Sequence, residues 1–157
     1  MIYTISEYMA TAIDSIVLIC FLAYTLSFKK PKQKLNIVTS IAFMLLFFSC
    51  VTIFNNINIA EGIYAAFYFL IFFMYCRISL KGKWWQQLLL VTIELAVLFL
   101  VNAVITIISS SILKSDYSSV LLMRNPVRVF LLFLSKISLI GLLFPIINGI
   151  RKQKIVL

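Results

Sequence analysis

The sequence predicts an all-α, polytopic integral membrane protein of about five transmembrane helices, on three observations. The 157 residues are 63% hydrophobic and 12% charged, with a mean hydropathy of +1.09, far from the balance of a water-soluble chain. The apolar residues are gathered into successive runs, each of a length that crosses, or nearly crosses, a hydrocarbon layer of about 30 Å. The basic residues are clustered between those runs, as membrane topology requires, and not spread over one face. The net charge of +9 is therefore read as a topology signal, and the lipid bilayer, not nucleic acid, is the expected partner.

Span one covers about residues 6–28. Thr4 and Glu7, at its start, have capping-box spacing, which predicts a helix start at the outer surface. Asp14 lies two turns further in, either turned toward other helices or shallow, near the headgroups. The Lys29–Lys34 segment holds four lysines and a proline and forms a stop. Span two, about residues 36–54, ends at an Asn-rich turn, 55–58, whose residues tolerate left-handed backbone. Asn58 and Glu61 again have cap-like spacing ahead of span three, about residues 59–80. Gly62 and Ala66 are four apart there, a weak signal for close helix contact.

Trp84 and Trp85 follow Lys81 and Lys83, and they fit an interfacial aromatic belt better than a ligand cage. Span four, about residues 86–109, contains Glu94 and Asn102. The polar stretch 110–124 includes Ser115 and Asp116, which could cap a short interfacial helix. Asn125 then reads as an N-cap and Pro126 as a first-turn residue of span five, about residues 127–150.

Ten of the fourteen Lys and Arg residues fall at 29–34, 77–83 and 151–154. The alternate loops carry only Lys114 and Arg124. The positive-inside rule thus places the N-terminus outside and the C-terminus in the cytoplasm. The opening residues are not expected to form a cleavable signal, because Glu7 stands where a basic region is needed and no small-residue cleavage site follows span one. No long linker or repeat divides the chain, so one domain is expected.

The functional candidates are the charges within spans. Lys136 lies fifteen residues before Arg151, and Asp14 fifteen before Lys29. Both therefore sit roughly 22 Å above the inner clusters. Glu94, eleven residues from Lys83, sits roughly 16 Å up. A lysine at that depth costs about 3 kcal/mol or more without a partner. Lys136 is thus expected to pair with Asp14, Glu94 or both, provided spans one, four and five are neighbours. Such a pair either fixes helix register or forms part of a polar pocket open to the outside. Asn102, Arg124 and Arg128 are added as residues of the outer half. The two arginines would hold an anionic group or a peptide carboxylate, or a lipid phosphate.

The chain has no histidine, which removes histidine-based metal, haem, triad and phosphotransfer chemistry. Cys20, Cys50 and Cys76 fall in separate spans without metal spacing and are read as buried free thiols. No catalytic residue, metal or cofactor is assigned.

An Ile2-Tyr3-Thr4-Ile5-x-Glu7-Tyr8 opening, short-looped apolar spans, and a final span carrying Arg128 and Lys136 before a basic exit resemble one family. It is the membrane sensor region of the peptide-pheromone histidine kinases, the accessory-gene-regulator type with a GHKL ATPase domain. The resemblance covers essentially the whole chain through architecture, without an invariant motif. It implies detection of an extracellular peptide, or another small ligand, and relay through the last span into a dimeric kinase core. A homodimer is therefore the expected unit. The family's histidine and ATP-binding motifs have no counterpart here, so the chain would be an isolated or shortened sensor region, or a standalone relative. A small transporter, or a substrate-binding subunit of one, is the alternative. Only four glycines and three prolines are present, and no pair of broken spans marks a midplane site.

Overall fold

The computed structural model describes residues 2–29, 33–55, 61–113 and 126–156. These residues form five α-helices: α1 (Ile2–Thr25), α2 (Gln33–Asn55), α3 (Glu61–Ser79), α4 (Trp84–Leu113) and α5 (Pro126–Val156). Four of them, all but α3, are long and apolar enough to cross a membrane. α3 contributes a shorter apolar run, Ile63–Ser79, and the start expected for span three, residues 59–60, lies outside the described residues. This is the all-helical architecture expected of a multi-pass membrane protein.

The helices close into a ring in chain order. Each packs on the next, and α5 returns to pack on α1. α1 and α4 touch only slightly across the ring. α5 is therefore flanked by α1 on one side and α4 on the other. Its first residue is Pro126, where a missing N–H costs no helical bond. α5 does not stop at residue 150 but carries the basic exit within the helix, because Arg, Lys and Gln are good helix formers. α4 likewise begins at Trp84 and runs to Leu113, past the expected end. The Thr4–Glu7 cap is not realised, because α1 has already begun at Ile2 and runs through both residues. The Asn58–Glu61 cap and the interfacial helix around Asp116 lie outside the described residues.

The ring is apolar on the outside as well as the inside, unlike a soluble bundle. Leu35, Ile41, Leu45 and Leu46 of α2, Leu100 and Ile107 of α4, and Phe130 and Ile137 of α5 are exposed. Gln87, Glu94, Ser135 and Lys136 are buried. That distribution suits lipid on the outside. Many helix hydroxyls are satisfied by their own helices, as lipid demands. Thr25 Oγ1 donates to the Phe21 carbonyl (2.5 Å), Thr52 to Phe48 (2.8 Å) and Ser109 to Ile105 (2.6 Å). The interior itself is apolar, centred on Leu18, Leu22, Phe72 and Tyr75. The α2–α3 seam is aromatic. Phe47 meets Tyr68 edge-on at 5.0 Å, and Tyr75 shares a 2.9 Å hydroxyl hydrogen bond with Ser40.

The two basic connections at one end are stitched together. Phe28 pairs antiparallel with Leu80. The Lys29 N–H donates to the Ser79 carbonyl (2.9 Å), and the Lys81 N–H donates to the Ser27 carbonyl (2.7 Å). Lys29 Nζ also donates to the Arg77 carbonyl. The turn needs Gly82, whose φ of 134° suits glycine, and whose missing Cβ would meet Leu26 Cδ2 at 3.3 Å. Fully buried Gln87 reaches back from α4 to close α3. Its Nε2 donates to the carbonyls of Cys76 (3.2 Å) and Leu80 (3.1 Å), satisfying the end of that helix. Gln87→Leu should therefore cost about 1 kcal/mol or more, since the Leu80 carbonyl loses its donor and the Cys76 carbonyl keeps only the Leu80 N–H. Reversible unfolding in mixed micelles measures it, and an unchanged midpoint would show the bonds to be dispensable.

Candidate functional site

The charged seam is assembled by three helices. α1 supplies Asp14, α5 supplies Lys136 and α4 supplies Glu94. Asp14 and Lys136, which helix rise places at one depth, meet: Lys136 Nζ donates to Asp14 Oδ2 at 2.6 Å. The side chains are 13% and 7% exposed, so the pair is nearly closed off from the surroundings. Ser15 and Ser135 stand beside the pair in sequence and are buried. Their small side chains suit close approach of two helices. Their hydroxyls donate to their own helices, at Ala12 (2.8 Å) and Leu132 (2.7 Å), and so add nothing to the pair. Asp14 Oδ1 is buried without a hydrogen bond.

Glu94 is not part of the pair. It is 0% exposed, and neither carboxyl oxygen has a hydrogen-bond partner. Its electrostatic neighbours are Tyr75 and Cys76 of α3. Of the three pairings open by depth, with Asp14, with Glu94 or with both, the structure has Lys136 on Asp14 alone. The reason lies in helix rotation. The buried stripe of α4 runs Gln87, Val91, Glu94, Leu98 and Val101, and Gln87 is bonded to the end of α3. That stripe carries Glu94 toward α3. A buried carboxyl without a partner is costly in any apolar medium, which makes Glu94 the least satisfied group of the described interior.

Asn102, two turns beyond Glu94, is half-buried on α4, where its carbonyl accepts from Thr106 Oγ1 (2.8 Å). It does not join the pair. Arg128 lies in the first turn of α5, and its side chain, like all of Arg124, lies outside the described residues. Among the described residues, no group of three or more His, Cys, Asp or Glu could hold a metal ion. The cysteines are free, but Cys20 is exposed and Cys50 half-buried. Only Cys76 matches the buried thiol expected, because Cys20 falls on the outward face of α1. Trp84 and Trp85 are both exposed in the first turn of α4, where an outward belt is possible and an enclosing cage is not formed.

Gln87 was missed as a structural polar residue. It lies seven residues before Glu94, the spacing of one helix face, and that spacing was the available signal. No family model, curated protein or solved structure matches this chain.

Proposed function

We propose that the chain is a membrane-embedded input module with five transmembrane helices. Its N-terminus is outside and its C-terminus in the cytoplasm of a bacterial plasma membrane. It detects an extracellular signal, a peptide in the first instance, and relays it through α5 to a cytoplasmic signalling domain. One observation carries the reading. α5 is held to α1 by a buried ion pair, while its other neighbour, α4, carries a buried carboxyl with nothing bonded to it.

Two arrangements of α5 follow from that imbalance. In the one described, Lys136 belongs to Asp14. In the other, α5 shifts and α4 turns so that Lys136 reaches Glu94. The second arrangement satisfies Glu94 and leaves Asp14 without its cation. The two states trade one buried pair for another, so their energies are close enough for a ligand to choose between them. α5 runs as one helix from Pro126 to Val156 with Pro145 inside it, so a shift at Lys136 reaches the basic exit through a turn that lacks one helical bond.

The test removes the present partner. Asp14→Asn should turn Lys136 toward Glu94 and raise disulfide trapping between cysteines introduced at the outer ends of α4 and α5. Unchanged trapping would remove the switch. Uptake of a labelled solute by vesicles carrying the protein would replace the input reading with the transporter one.

A further inference from the structure

A groove of about 480 Å³ opens on the outside of the ring between α1 and α5. That volume lies within the range of about 300–1,000 Å³ that accommodates small ligands. Val17, Cys20 and Tyr24 line it from α1, and Leu143, Ile147 and Asn148 from α5. The buried side chains of Phe21 and Leu143 form its floor, and exposed Cys20, Tyr24 and Phe144 its rims. The two helices run parallel here, since the lining advances from Ile16 to Tyr24 on one as it advances from Ile140 to Asn148 on the other. The groove therefore begins within about a turn of the Asp14–Lys136 pair and descends toward the basic end.

Its two ends differ. The wall is hydrocarbon over most of its length, and the polar tips of Tyr24 and Asn148 come only at the lower end. Beyond Tyr24, α1 leads to Lys29, and beyond Asn148, α5 continues as helix through Arg151, Lys152, Gln153 and Lys154. The five acidic residues of the chain are Glu7, Asp14, Glu61, Glu94 and Asp116. None lies below Asp14 in α1, and none lies in α5. On α5 the lower mouth thus leads within a turn into a basic run of the helix, neither helix carries a carboxylate below the pair, and Lys29, past the end of α1, is bonded to the Arg77 carbonyl.

We propose that this groove is a phospholipid site that holds one acyl chain of an anionic lipid, with the lipid phosphate at the basic mouth. An apolar slot ending in cations matches a ligand with a hydrocarbon body and an anionic head. A second copy of the chain is a poorer fit, because it would bring a second set of the same cations to the mouth. A neutral lipid would fill the slot without using the charge. The inference stands apart from the input reading, since it needs no second helix arrangement.

Native mass spectrometry of the full chain, supplied with phosphatidylglycerol or phosphatidylcholine, tests it. The expected result is a bound phosphatidylglycerol that survives delipidation at about ten times the level of phosphatidylcholine. Cys20→Trp fills the groove from an exposed position and should lower that retention about tenfold, by removing the buried chain. Ile140→Trp does the same from the other helix and serves if the first variant fails to fold. Arg151→Gln with Lys152→Gln should bring the two lipids to comparable retention. Equal retention of both lipids by the unaltered chain, or unchanged retention in both tryptophan variants, overturns the site. So does a high yield of Cys20–Cys20 disulfide in membranes, which would put a second copy over the groove.

Discussion

Lys136→Met should destabilise the ring by about 3–5 kcal/mol, because it leaves Asp14 buried with no cation. Asp14 is 13% exposed, its Oδ1 already lacks a hydrogen bond, and Lys136 is the group bonded to its Oδ2. A sulfur-containing side chain of similar length fills the same space, so packing changes little and the loss is electrostatic. Replacing both partners, Asp14→Leu with Lys136→Met, should recover most of the stability, since an apolar pair carries no desolvation cost. Reversible unfolding of the two single variants and the double variant closes the cycle. Additive losses would mean that the two residues are not coupled in the membrane as they are at 2.6 Å here. The same variant bears on function. If Lys136→Met left ligand response and the accessibility of α5 unchanged, the pair would be a register pin and not a switch.

Glu94→Met should change stability in the opposite sense. Glu94 is 0% exposed and both its oxygens lack partners, so its carboxyl makes no bond that the substitution destroys. Removing a buried polar group that has no partner relieves its desolvation, worth about 1–3 kcal/mol by the mutational scale for polar groups. The expected outcome is a chain that unfolds later and, under the input reading, no longer shifts α5, because the second arrangement has lost its anion. A Glu94→Met chain that unfolds earlier would show that the carboxyl has a partner in the membrane. A stabilised chain that still shows increased α4–α5 trapping in the Asp14→Asn background would remove Glu94 from the switch. The contrast with Lys136 is the informative result. Two ionisable residues at similar depths should give effects of opposite sign, one because it is paired and the other because it is not.

Much of this architecture is legible in the chain, and the reason is that the legible parts are local. Long apolar runs and basic punctuation locate α1, α2, α4 and α5 without reference to one another. Helix rise alone matches Asp14 to Lys136, since depth depends only on the count of residues from each basic cluster. The end points were less legible. Thr4 lies inside α1, and α5 runs through its basic exit, because good helix formers continue a helix past the apolar run that announces it. The surface position of Cys20 was also missed, since a thiol in an apolar span reads the same whether it faces lipid or the interior.

What the sequence determined by itself is therefore class, span placement and depth. What only the tertiary structure decided is azimuth: which side of each helix faces which neighbour. Lys136 chose Asp14 over Glu94, Gln87 closed α3, and α1 and α5 left a groove between them, all through rotations of helices about their own axes. In a soluble bundle, the apolar stripe would announce those rotations. Here α2, α4 and α5 are apolar nearly all round, so no stripe marks the inner face, and only packing against the other helices selects it.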